Sequence, residues 1–231
     1  TFDGNTLTAG SGNDTITLDA SGFGDTANSF PDNDINLGGG TNMLTITNDS
    51  IFENSRIQMQ GGADTVTLNG TIFDTNTIDL GGGDDDLDIN QSGSGGFNNN
   101  TVKLGGGVNT LDQLNNSGTF NGNTLTAQGG ADTVTLTGVG FDANTIDLGA
   151  GGNSLTLNNS GNVTNNDIDA AAGADIVTIE GVLFDGNNIN LAGTGENDEL
   201  TIDHSGSGGF DNNTIVLGDG NNTLDQLTND G

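Results

Sequence analysis

Apolar residues recur at every second position inside short Thr-rich runs, as in "DTITL" at Asp14 to Leu18, "MLTIT" at Met43 to Thr47 and "DTVTL" at Asp64 to Leu68. Strict alternation puts the apolar set on one face, so these runs predict strands with one side buried. Each run follows a glycine-rich turn of the form G-x-G-x-[DN]-x-U, where U is aliphatic. The U positions are Ile16, Leu44, Val66, Leu87, Leu111, Val134, Leu155, Val177, Leu200 and Leu224. Their spacing is about 23 residues, which gives ten coils. A second signature, F-x-x-N-x-U, occupies the other half of each coil, as in "FDGNTL" at Phe2, "FDTNTI" at Phe73, "FNGNTL" at Phe120 and "FDANTI" at Phe141. Val163 replaces the Phe once, and Ser55 replaces the Asn once.

Two strands and two turns per coil cannot bury a face alone, so successive coils must stack. The sequence therefore predicts an all-β, parallel β-solenoid, β-roll-like, with two strands per coil. Its expected hand is right-handed, by the crossover rule. At about 4.8 Å per coil, ten coils make a rod on the order of 50 Å long. Pairs such as Ile78 with Leu80 and Val66 with Leu68 are expected to point inward from opposite strands.

Asn5, Asn33, Asn76, Asn100, Asn123, Asn144, Asn166, Asn187 and Asn213 fall on one column. A buried Asn amide can donate to one neighbouring coil and accept from the other, so this column is expected to be a structural ladder, with the Phe residues stacked beside it.

A longer period overlies the short one. "SGSGGFNNNTVKLGGGVNTLDQL" from Ser92 recurs as "SGSGGFDNNTIVLGDGNNTLDQL" from Ser205, and "TFDGNTLTAGSGNDTITL" from Thr1 recurs as "TFNGNTLTAQGGADTVTL" from Thr119. The chain divides into two five-coil blocks, 1–118 and 119–231, with an insertion in the first coil around Ser21 to Pro31. The pattern is already running at Thr1-Phe2 and runs on to Gly231, so further copies of the repeat are expected partners, in a longer chain or by end-to-end stacking.

Composition sharpens this picture. Thirty-two acidic residues against two basic ones give a formal charge of -30. Only Arg56 and Lys103 are cationic, which excludes nucleic acid and anionic membrane as partners and favours divalent cations. The absence of Cys removes disulfide and thiolate chemistry, and fits a secreted bacterial protein that does not use disulfides.

The turn "AGSGNDTITL" at Ala9 to Leu18 resembles the glycine- and aspartate-rich nonapeptide of RTX proteins, secreted bacterial toxins, proteases and adhesins whose β-rolls bind calcium between turns. The resemblance implies calcium as cofactor, with carboxylates from Asp14, Asp64, Asp84, Asp85, Asp132, Asp175 and Asp198 and oxygens from turn carbonyls. It covers one turn per coil, whereas the family's shorter coil carries a binding turn at both corners. At the acidic position Asp alternates with Asn42, Asn109, Asn153 and Asn222, and the ninth coil offers either Asn197 or Asp198. Asp64 and Asp85 are successive, with Asp84 and Asp86 beside them, and there a single calcium is expected. The bland alternative is a row of solvated carboxylates, interleaved with amides because two charges about 4.8 Å apart repel by roughly 1 kcal/mol even in water. Asp185 over Asp211 and Asp88 over Asp112 are weaker acidic pairs.

Thr pairs such as Thr15-Thr17, Thr65-Thr67 and Thr133-Thr135 are similar to the T-x-T ladders of solenoid ice-binding proteins, but Met43, Asp86, Asp88, Asp112, Ile176 and Glu199 break the face. An enzyme is not expected. His204 is the sole His and is placed at an outward strand end. The function expected is a calcium-supported rigid rod, spacer or filament body of a secreted or cell-surface bacterial protein. The alternatives are a calcium-triggered folding module of a secreted effector, or an ice- or glycan-adhering surface.

Overall fold

The computed structural model describes residues 2–19, 30–114 and 117–227. The insertion expected around Ser21 falls outside the described residues. Within them there is no helix, and the chain winds as a parallel β-solenoid. Ten strands, from Thr6–Thr8 to Thr214–Asp219, pair in sequence order to form the first sheet. Seventeen shorter and longer segments form the second.

One coil shows how the sequence produces this. Thr77–Asp79 lies in the first sheet, flanked in register by Arg56–Gly61 and Thr101–Gly106, with Ile78 opposite Ile57 and Val102. The chain then turns through glycines into Asp86–Gln91, where Leu87 pairs with Val66 on one side and Leu111 on the other. Ile78, Leu80, Leu87 and Ile89 all point inward and are at most 1 % exposed. Like residues stack on like because each coil repeats the same alternation.

The two-strand coil expected from sequence needs one correction. The Phe segment is a third strand of its own, as at Phe97–Asn98, which pairs with Phe73 and Phe120. The chain bends between the apolar strand and the Phe, and among the described residues only in Thr133–Asp142 and Ser154–Thr164 do the two run together as one long strand. A strand of two or three residues is too short to display a period, so the pattern cannot reveal it. The Phe rings follow one another along this corner at centroid separations of 4.8 Å for Phe30 and Phe52 and 5.2 Å for Phe97 and Phe120. Val163 stands in the same column, paired with Phe141 and Phe184.

Two backbone conformations make the corners. The residue before each ladder Asn is left-handed, with φ of 56° at Asn99, 60° at Thr75 and 56° at Ala143. At the other corner a glycine passes so close to the previous coil that no side chain fits. A Cβ on Gly83, whose φ is 141°, would lie 1.7 Å from the carbonyl oxygen of Gly62. The pairing runs through residues 118 and 119 without interruption, since Thr110–Leu114 pairs with Thr133–Asp142 and Thr101–Gly106 with Thr124–Gly129.

Candidate functional site

The polar chemistry of the molecule lies in columns that run along the rod. The first is the Asn ladder. The backbone N–H of Asn76 donates to Oδ1 of Asn100 at 2.9 Å, Asn100 to Asn123 at 2.9 Å, and Asn123 to Asn144 at 2.9 Å. The same bond links Asn5 to Asn33, Asn144 to Asn166, Asn166 to Asn187 and Asn187 to Asn213. From Asn76 to Asn187 each Nδ2 then donates twice, as Asn76 does to the carbonyl of Phe52 at 2.8 Å and to Oδ1 of Asn100 at 3.0 Å. Ser55 takes the missing Asn's place: its Oγ accepts from the N–H of Asn33 and stands 3.0 Å from the carbonyl of Phe30. All three atoms of the side-chain amide therefore serve backbone groups or the next amide where water does not reach.

The second column contains the acidic residues singled out by the sequence, and it is built the same way. Asp14 N–H donates to Oδ1 of Asn42, Asn42 to Asp64, Asp64 to Asp85 and Asp85 to Asn109. The series continues through Asp132, Asn153, Asp175 and Asp198 to Asn222. In the ninth coil Asp198 occupies the column and Asn197 is exposed. These side chains do not project into solvent. Asp64, Asp85, Asp132, Asp175 and Asp198 are at most 2 % exposed, so the row of solvated carboxylates is corrected to a buried one. The Asx side chain turns inward because only there can it receive the backbone N–H of the coil before it. Asp84 lies outside the column, exposed, with Oδ1 accepting from the N–H of Val108.

At the amide positions Nδ2 donates back to the glycine carbonyl of its own turn, Asn42 to Gly40 at 3.1 Å and Asn153 to Gly151 at 3.0 Å. Asn109 and Asn153 also donate to the next Oδ1, on Asp132 at 2.9 Å and Asp175 at 3.0 Å. At the acidic positions the corresponding oxygen has no such role. Oδ2 of Asp14, Asp64, Asp85, Asp132, Asp175 and Asp198 is buried without a hydrogen-bond partner. Burial pushes the carboxyls of Asp64, Asp85, Asp132 and Asp175 above the usual carboxylate range. Asp85 is raised to about 6, by desolvation first, opposed by the N–H of Asp64 and reinforced by the charges of Asp64 and Asp84.

Calcium takes about six to eight oxygens at roughly 2.3–2.6 Å. In this column one oxygen of each carboxylate is already held by a backbone N–H, and the alternate coils direct amide hydrogens into the same space. Among the described residues no group of three or more His, Cys, Asp or Glu side chains converges. The carboxylates alone do not make a calcium cage; at Asp64 and Asp85, which are successive rungs with no amide between them, the further oxygens for a cation would have to be turn carbonyls.

A third column escapes sequence reasoning. Asn48, Gln91, Asn159 and His204 follow the apolar run of the second sheet with their side chains buried, and each holds the chain leading to the Phe segment. Asn48 Nδ2 donates to the carbonyl of Ile51 at 2.9 Å, Gln91 Nε2 to Thr71 at 2.9 Å, and Asn159 Nδ2 to Asn162 at 2.9 Å. His204, expected at an outward strand end, is instead wholly buried; its Nε2 donates to the carbonyl of Val182 at 2.7 Å and its ring meets Phe184 edge-on. The larger residues alternate with glycine in neighbouring coils, since Gln91 pairs with Gly70, Asn159 with Gly138 and His204 with Gly181. Three different residue types and intervening glycines hide this column from a search for repeated letters.

The outward faces carry the remaining expected pairs. Asp88 stands opposite Asp112, and Asp185 opposite Asp211. Burial, then Asp86 and Asp112, raise the carboxyl of Asp88. The Thr face is in register, Thr17 beside Thr45 and Thr67, but Asp88 and Asp112 interrupt that row. Arg56 pairs with Asp34 at 3.5 Å and Lys103 with Asp79 at 3.9 Å, each across neighbouring coils at half-exposed positions. A surface hollow of about 190 Å³ is lined mainly by hydroxyls and amides, among them Thr47, Asn48, Asn69, Asn90 and Gln91, with Asp49 as its one carboxylate. No helix of the described residues is long and apolar enough to cross a membrane. Comparison with protein-family models, with curated proteins and with solved structures gives no match.

Proposed function

We propose that the chain is a load-bearing rod, the spacer or filament body of a secreted or cell-surface bacterial protein. The observation that carries this reading is the Asn ladder, which runs from Asn5 to Asn213 through every coil with Ser55 as its one substitution. A catalytic or binding protein concentrates its chemistry at one place, whereas here the same bonds recur at every level. The carboxylates of the outward faces, a large part of the formal charge of -30, keep such rods apart laterally and are screened diffusely by the salt outside a cell. Further coils of the same kind are its natural partners, because each strand edge presents the next with an identical pattern of donors, acceptors and apolar side chains.

Small-angle scattering on this chain and on a tandem duplicate tests the reading. The longest dimension is expected to grow by about 4.8 Å per added coil, with the cross-section unchanged. A duplicate that behaves as two bodies on a flexible joint, or that folds back into a compact particle, overturns it.

A further inference from the structure

The two five-coil blocks meet at a joint inside the molecule. Thr101–Gly106 pairs there with Thr124–Gly129, Val102 opposite Leu125, and Thr110–Leu114 pairs with Thr133–Asp142, Leu111 opposite Val134. Phe97 stacks on Phe120 at 5.2 Å. Asn100 gives its N–H to Oδ1 of Asn123 at 2.9 Å, and Asn109 gives its N–H and its Nδ2–H to Oδ1 of Asp132 at 2.8 and 2.9 Å. Each side of this joint occurs a second time in the chain. "SGSGGFDNNTIVLGDGNNTLDQL" from Ser205 repeats the side that closes on Leu114, and "TFDGNTLTAGSGNDTITL" from Thr1 repeats the side that starts at Thr119.

The second occurrences are open. Leu224 is 49 % exposed, whereas Leu111, the same letter of the same "TLDQL", is 2 % exposed. Phe2, Leu7, Ile16 and Leu18 are only partly buried, while their counterparts Phe120, Leu125, Val134 and Leu136 are at most 2 % exposed. Asn222, the counterpart of Asn109, directs its amide back onto its own turn, 2.8 Å from the carbonyl of Leu217. We propose, on the reading of the chain as a rod, that the edge formed by Thr214–Asp219 and Thr223–Leu227 docks the edge Thr6–Thr8 and Thr15–Asp19 of a second copy in the register of the internal joint, and that salt controls this docking. Ile215 then lies on Leu7 of the second copy and Leu224 on its Ile16. The N–H of Asn213 reaches the second copy's Asn5, and Asn222 turns its amide to Asp14.

Salt enters because the two joints differ in one outward row. Inside the molecule Asn98 stands opposite Asn121 and accepts its N–H at 3.1 Å. In the docked pair the same places hold Asp211 and Asp3, both exposed. Asp211 already faces Asp185 in the coil before, so docking sets three carboxylates in succession, about 4.8 Å apart. Within one chain, among the described residues, this row never carries three: Asn98 follows Glu53 and Asp74, and Thr164 follows Asp142. The joint between copies is therefore opposed by a short-range repulsion that the internal joint lacks. Salt removes it, since the screening length falls from about 30 Å at about 10 mM to about 3 Å at about 1 M.

Sedimentation of the full chain in chelator at those two salt concentrations, with small-angle scattering on the same samples, tests the docking. Species are expected whose longest dimension grows in steps of one rod at constant cross-section, and which associate more tightly at high salt. Asp211→Asn copies the internal joint. It is expected to tighten association roughly three- to fivefold at low salt, the effect of one charge pair about 4.8 Å apart in water, and to change it little at high salt. Asp86→Asn, which removes an exposed charge far from either edge, is expected to do less. Leu224→Asp places a charge in the apolar contact and is expected to abolish association while the thermal melt of the rod is retained. Equal effects of Asp211→Asn and Asp86→Asn, association indifferent to Leu224→Asp, or particles that thicken instead of lengthening overturn the proposal. A monomer at both salt concentrations overturns it too, and leaves the rod reading standing where the covalent duplicate scatters as one straight body; a jointed duplicate sinks both.

Discussion

Nδ2 of Asn144 lies 2.8 Å from the carbonyl oxygen of Phe120 in the coil before, while its Oδ1 receives the N–H of Asn123. One side chain thus satisfies two buried backbone groups that the corner would otherwise leave open. Asn144→Ala strips both, and each buried orphan costs about 1–3 kcal/mol. A loss of about 2–5 kcal/mol is expected from the urea-unfolding midpoint, with circular dichroism at low urea unchanged.

Ser55 is the natural short rung of that ladder. Its hydroxyl has one hydrogen, shared between the carbonyls of Phe30 and Glu53, and none for Oδ1 of Asn76. Ser55→Asn restores the second donor and is expected to stabilise the rod by about 0.5–1.5 kcal/mol. A lower urea midpoint would show that the pocket around Ser55 has closed to fit the smaller side chain.

Thr75 holds a φ of 60° although its Cβ is branched. The left-handed conformation costs an L-residue about 1–2 kcal/mol, and other coils place Gly4, Gly122 or Gly186 at this corner. Thr75→Gly is expected to raise stability by about 0.5–1 kcal/mol after glycine's greater unfolded-state entropy is subtracted. Ala143→Gly, at φ 56°, is expected to act in the same direction by thermal melt.

Gly83 is the opposite case. Its missing Cβ would sit 1.7 Å from the oxygen of Gly62, against backbone that cannot yield locally. Gly83→Ala is expected to cost more than about 3 kcal/mol and to open the stack at that level, which amide exchange in the flanking strands Thr65–Gly70 and Asp86–Gln91 will localise.

These positions differ in how openly the sequence shows them. The Asn ladder was legible because one residue recurs at one offset, and a buried amide has few other uses at that density. The solenoid followed from alternation that repeats with the glycine turn. The Asp column is visible in the sequence but its inward orientation is not: a carboxylate beside glycines ordinarily faces water, and only the N–H of the preceding coil explains why Asp64 or Asp175 turns inward. His204 was misplaced for a related reason, since its partner is a carbonyl in the previous coil, 22 residues away. The Phe strands are hidden because two or three residues cannot display a period.

Both Asx columns share a property that concerns assembly rather than stability. In every rung the backbone N–H belongs to the earlier coil and the side-chain oxygen to the later one, from Asn5 onto Asn33 and from Asp14 onto Asn42 to the last described rungs at Asn213 and Asn222. These backbone-to-side-chain bonds all point one way, although the Asn amides also donate back to the coil before. A cut across the rod leaves the Asx oxygens on one surface and the N–H groups they served on the other, so the two surfaces are chemically unlike. Any array built from such coils has a front and a back, and a growing end can be told chemically from the end that anchors it.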